Sequence, residues 1–111
     1  MNSEQEIETV VRGFETCETG ADDFKHNDHL MVAVWYVHKL GREAALERMR
    51  AGLIRFLAHH EVDPEKYSEE ITRFYIERVA ERLDELGNIS VVEKCKQIVL
   101  DHRFSWVKKA D

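Results

Sequence analysis

His26 and His29, three positions apart in Phe24-Lys25-His26-Asn27-Asp28-His29-Leu30, are the residues of this chain best placed to do chemistry. Each helical residue turns about 100°, so the two imidazoles share one face of a helix. Imidazole is a metal ligand, and its unperturbed pKa of about 6.5 also suits proton transfer. A second polar group, Lys66-Tyr67-Ser68-Glu69, opens a later segment. There Glu69 lies one turn before Thr72 and two before Ile76, in line with an apolar stripe. His26, His29, Tyr67 and Glu69 are therefore candidates for one site. Asp22 and Asp23 stand near enough in sequence to contribute from a loop.

Three chemistries fit these residue types. His26, His29 and Glu69 could ligate a divalent transition metal such as Zn²⁺ or Fe²⁺, which takes imidazole and carboxylate and tolerates water in open positions. Alternatively, two helix N-termini and protonatable histidines could bind an anionic or carbonyl-bearing small molecule. In the third reading these groups only cap helices and hydrogen-bond one another, as buried polar groups usually do. An enzymatic version would use His29 as general base or ligand, with Glu69 orienting it and Tyr67 donating a hydrogen bond.

The elements that must position these groups are helices. Charged residues make up 34% of the 111-residue chain and hydrophobic ones 43%, a balance ordinary for a folded domain. There is a single proline, Pro64, and no regular two-residue alternation, which leaves little room for strands. The expectation is an all-α chain forming one helical domain over 1–111, long enough to bury a core and too short for two domains. The net charge of -6, with Lys and Arg interleaved with Glu in Arg42-Glu43, Glu47-Arg48 and Glu77-Arg78, reads as solvated helix surface. It argues against nucleic acid and against an anionic membrane as partners. The N-terminal Met1-Asn2-Ser3-Glu4 lacks a signal-peptide pattern, and no apolar run approaches the ~20 residues of a spanning helix, so the expected location is cytoplasmic.

Five helical segments are expected. The first covers about Glu4 to Glu18, with Ile7, Val10, Val11, Phe14 and Cys17 on one stripe and Gly20 as its stop. The second starts from an N-cap at Asn27 or Asp28 and runs to about Leu40, stopping at Gly41. Its run Met31-Val32-Ala33-Val34-Trp35-Tyr36-Val37 is apolar on every side, which marks it as the buried centre of the molecule. The third, about Arg42 to His60, buries Ala45, Met49, Gly52, Leu53, Phe56 and Leu57. Val62-Asp63-Pro64-Glu65 is a turn, because Pro64 restricts the residue before it. The fourth begins near Pro64 or Ser68 and ends at Gly87-Asn88, with Thr72, Ile76, Val79, Ala80, Leu83 and Leu86 inward. The fifth opens with a capping box, Ser90-Val91-Val92-Glu93, and runs to about His102. Short connections make segments two to four up-down-up, which brings the N-termini of two and four, and hence the candidate residues, to one end of the bundle.

The remaining reactive residues read as structural. His38 projects from the helix face opposite His29. His59-His60 closes the third segment, where a cation suits the negative end of the dipole, although His60 could approach the candidate site. His102 has the same capping role at the end of the fifth. Cys17 and Cys95 form no C-x-x-C unit and read as free thiols on apolar faces. Trp35, Tyr36, Phe56, Phe74 and Tyr75 read as core, with Trp35 and Tyr75 able to line a pocket. Gly-rich phosphate loops, a G-x-S-x-G elbow and an H-E-x-x-H pair are all missing.

With these residues in hand, the chain resembles a group of small bacterial all-helical proteins of unassigned function. They carry an F-x-H-x-x-H-L block leading into an apolar helix and a K-Y-H-x-T-x-T-like block at the start of a later one. Phe24, His26, His29 and Leu30 match the first block. Lys66-Tyr67-Ser68-Glu69-Glu70-Ile71-Thr72 matches the second only in part, with Ser68 where the resemblance implies a histidine and Glu70 where it implies a threonine. The resemblance implies that the two blocks pair in space, and that a metal site would be weakened by the histidine missing at Ser68.

The function expected is binding of a small molecule or metal in a polar pocket at the N-terminal ends of the second and fourth segments. The alternative is a protein-interaction module without a catalytic site, docking a partner or a second copy of itself through the first segment and the Phe104–Trp106 tail.

Overall fold

The computed structural model describes residues 3–101 and Phe104. Among them are five α-helices: α1 (Glu4–Glu15), α2 (His26–Leu40), α3 (Arg42–His59), α4 (Glu69–Leu86) and α5 (Val91–Leu100), with a 3-10 turn at Pro64–Lys66 between α3 and α4. Helix α2 packs against all four others. Its buried residues Leu30, Val32, Ala33, Val34 and Tyr36 are spread around the helix axis, which is why its sequence has no polar face. The other helices are amphipathic and lay their stripes on it: Ile7, Val11 and Phe14 from α1, Ala45, Met49 and Phe56 from α3, Ile76, Val79 and Leu83 from α4, and Val91, Cys95 and Ile98 from α5. Phe104, just beyond α5, is also buried in this core. No helix among the described residues is long and apolar enough to cross a membrane.

The helix ends follow local chemistry, with three departures from expectation. Ser3, Ser68 and Ser90 each cap a helix by accepting a hydrogen bond from the backbone N–H three residues on. Gly41 and Gly87 end α2 and α4 at φ +88° and +76°, backbone that a side chain would strain. Helix α1, however, stops at Glu15 rather than Glu18, and Gly20 is not its stop. The chain turns out at Cys17, a non-glycine residue at φ 64°, which ends up only 5% exposed. At α2, neither Asn27 nor Asp28 is the N-cap. The helix starts at least two residues earlier, with Lys25 in the cap position and its N–H donating to the Asp28 carboxylate at 3.0 Å. Finally, Phe74 is 54% exposed and not core, with the Arg78 guanidinium lying 5.5 Å from its ring centre. His102 and Trp106 lie outside the described residues.

Candidate ligand-binding cavity

The N-terminal halves of α2 and α4 lie at the same end of the bundle, beside the C-terminal half of α3, and enclose a cavity of about 560 Å³. Buried apolar residues build its inner wall: Leu30 and Ala33 from α2, Met49 from α3, and Ile76 from α4. Leu53 and Leu57 of α3, read from the sequence as core, are half-buried and face the same space. Ile71, 52% exposed, and Lys66 stand at the rim. Of the residues singled out in the sequence, His26, His29 and Tyr67 line this cavity, together with Ser68, Thr72 and Tyr75. Trp35 packs against the core elsewhere.

His29 stands on the first turns of α2 with its ring against Phe24, the centroids 4.3 Å apart and the planes tilted by 46°. Among the described residues its ring nitrogens have no hydrogen-bond partner, although the residue is half-buried. Burial first, and the neighbouring His26 second, hold its pKa down at about 4. At neutral pH it is therefore an uncharged imidazole, able to offer one acceptor and one donor nitrogen. His26 is engaged differently. Its Nε2 lies 2.5 Å from the backbone carbonyl of Phe104, which can only accept, so Nε2 carries the proton. The His26 ring also meets Tyr75 edge-on, with centroids 5.7 Å apart.

Glu69 does not join the histidines. Its carboxylate takes a two-point contact from Arg50 of α3, 2.8 Å from Nε and 2.6 Å from Nη2, and a third contact from Arg73 at 3.0 Å. The Tyr67 hydroxyl donates to the same carboxylate at 2.6 Å. Arg50 first, then Tyr67, lower the Glu69 pKa to about 2, so it is ionised throughout the neutral range. A carboxylate already satisfied by two guanidinium groups has little to gain from a cavity whose walls are mostly apolar. Burial first, and the bond to Glu69 second, raise the pKa of Tyr67. Among the described residues no three His, Cys, Asp or Glu side chains meet as metal ligands would. The expected triad of His26, His29 and Glu69 is thus reduced to a histidine pair, because Arg50 competes for the third member.

Ser68, where the resemblance implies a histidine, is the N-cap of α4 and lines the cavity; its Oγ accepts from Ile71 N at 3.1 Å. Thr72 donates its hydroxyl proton to the Ser68 carbonyl at 2.8 Å. His60 stays out of the cavity, with its ring against Phe56 at 4.5 Å. His38 lies beside Lys94 of α5, its Nδ1 3.1 Å from Nζ, on a different face of α2. Asp22 and Asp23 are exposed and absent from the cavity lining. Two groups escaped sequence reasoning. Leu53 and Leu57 read from the sequence as buried core, and it is only their place in the cavity wall that was missed; their position on the stripe of α3, facing whatever lies between α2 and α4, could have shown it. Arg50 carries no local signal: it lies 19 residues from the carboxylate it binds.

Comparison with protein-family models, with curated proteins and with solved structures finds no match.

Proposed function

We propose that this protein binds a small organic molecule in the cavity between α2, α3 and α4. One observation carries the reading: His29, half-buried and without a hydrogen-bond partner among the described residues, borders an otherwise largely apolar space of about 560 Å³. Small-molecule sites are typically concave, ~300–1,000 Å³ in volume, apolar on most of their surface and furnished with a few convergent polar groups. A desolvated imidazole with no protein partner costs stability, and a ligand would relieve that cost. The two blocks behind the resemblance to small bacterial helical proteins both contribute to this lining, which supports treating them as one site. Metal binding is the weaker form of the proposal, because Glu69 would first have to leave Arg50 and Arg73.

The test is nuclear magnetic resonance of the isotopically labelled protein against a set of small aromatic fragments. Binding in the cavity is expected to shift the Leu30, Ala33, Met49 and Thr72 signals together. Leu53→Trp, which fills the space from α3 and leaves the central helix untouched, should abolish those shifts. Fragments that leave all four signals in place would remove the proposal.

Self-association is the competing reading, supported by Ile71 and Phe74, side by side on α4 and 52% and 54% exposed. Light scattering on the wild type and on Ile71→Ser/Phe74→Ser separates the two: a dimer lost in the variant, with no fragment binding, would favour it.

A further inference from the structure

We infer that the cavity selects an uncharged aromatic molecule bearing a hydroxyl or N–H donor, a phenol- or indole-type ligand whose proton is taken by His29. This rests on the cavity being a ligand site and adds to it the chemical class of the occupant.

The body of the ligand follows from the walls. Rings border the space from α2, α4 and the turns that precede them: Phe24 and His29 pack at 4.3 Å, His26 meets Tyr75 edge-on at 5.7 Å, and Tyr67 closes the turn before α4. A planar aromatic molecule can be met face-on or edge-on by such rings, which contributes beyond simple burial of area.

Absence of charge follows from the lining. Among the described residues no carboxylate lines the cavity, and Glu69 is fully engaged by Arg50 and Arg73. A buried ammonium would therefore lack a counter-ion. The cation of the lining, Lys66, is exposed at the rim, and His29 is neutral at physiological pH, so a carboxylate carried inward would be equally uncompensated. Burying an unpaired charge costs far more than burying a hydroxyl.

The donor follows from where the protein's own protons go. Tyr67 gives its hydroxyl proton to Glu69, an ionised carboxylate that can only accept. Thr72 gives its proton to the Ser68 carbonyl; it also lies within hydrogen-bonding reach of Tyr67, and on either course the proton stays inside the protein. Neither hydroxyl thus has a proton left to offer the cavity. His29 adds an acceptor nitrogen with no partner among the described residues. The protons left over are those of Ser68 and Lys66, in the turn preceding α4, and the single N–H of the His29 ring. With the Tyr67 and Thr72 protons committed, an open acceptor nitrogen on His29 beside an apolar wall calls for a ligand that donates.

Isothermal titration at neutral pH with 2-naphthol, 2-methoxynaphthalene and 2-naphthoate tests this with probes of one ring system. The expected order is 2-naphthol first, about tenfold tighter than its methyl ether, the factor one hydrogen bond supplies, with naphthoate weakest. His29→Leu should bring naphthol down to the level of the ether, and His29→Gln, which keeps an acceptor, should restore part of the difference. Equal binding of naphthol and ether would overturn the donor assignment while leaving the cavity as a ligand site. Preference for naphthoate would overturn it in favour of an anionic ligand held at Lys66. If none of the three binds, the ligand-site reading fails and this inference falls with it.

Discussion

Gly52 of α3 lies so close to Phe14 of α1 that a methyl group on it would stand 2.6 Å from the ring carbon Cε2. The contact reaches the cavity, because Phe14 stacks on Phe24 at 4.8 Å and Phe24 packs on His29 at 4.3 Å. Gly52→Ala is therefore expected to push the Phe14 ring, and Phe24 with it. Overpacking of this kind costs about 1–3 kcal/mol, which denaturant unfolding should register. The Phe24 and His29 ring resonances should move as well. A stable variant with both rings undisturbed would contradict the close approach.

The low pKa of His29 predicts a pH dependence whose sign can be worked out. In the unfolded chain its pKa is about 6.5, and in the fold it is about 4. The unfolded state then binds the proton more tightly, so the stabilisation is complete above about pH 6.5 and is lost as pH falls toward 4. Its size is on the order of 1–3 kcal/mol, allowing for partial exposure of the ring. His29→Gln should flatten this part of the stability-pH curve relative to wild type. Parallel curves for the two proteins between pH 6.5 and 4 would show that His29 titrates normally.

Metal content separates the two ligand chemistries. With Glu69 held by Arg50 and Arg73, protein purified without a histidine tag is expected to carry far less than one equivalent of transition metal. Elemental analysis of the His26→Ala/His29→Ala variant should give the same value. Near-stoichiometric metal that disappears with the histidines would restore the ligation reading.

Tyr36, 2% exposed in the centre of the bundle, donates its hydroxyl to Glu15 of α1 at 2.6 Å, while Arg48 lies 5.7 Å from its ring centre. Burial first and the Glu15 bond second raise its pKa, so it stays a donor across the physiological range. Tyr36→Phe should lower stability by about 1 kcal/mol, the net worth of such a bond, without altering ligand affinity. Loss of affinity in this variant would mean that the α1 contact shapes the cavity.

Both cysteines are free and buried, at 5% and 0% exposure for Cys17 and Cys95, and burial raises the Cys95 thiol to about 12. A thiol-specific reagent is expected to leave the native protein essentially unlabelled and to titrate both thiols once denaturant unfolds it. Rapid labelling of one thiol under native conditions would point to local opening around it.

Much of the fold could be read locally. The run from Met31 to Val37 has no polar face, and α2 is the helix that touches every other. Gly41 and Gly87 stop helices because only glycine is comfortable at their φ values, and serine caps mark three starts. Such signals act within a turn or two of chain, so they need no partner from elsewhere. They also sufficed to bring His26, His29 and Tyr67 to one end of the bundle, since up-down-up packing aligns the N-termini of α2 and α4.

What the residues could not disclose was the competition for each polar group. The spacing of Glu69 from Thr72 and Ile76 placed it with an inward stripe, but Arg50, 19 residues away, draws its carboxylate aside. Likewise the partner of His26 is a carbonyl 78 residues along the chain. Periodicity fixes the face of a helix on which a side chain starts. Where a long polar side chain ends depends on which charges the packing of other helices brings within reach, and that is decided only by the tertiary structure.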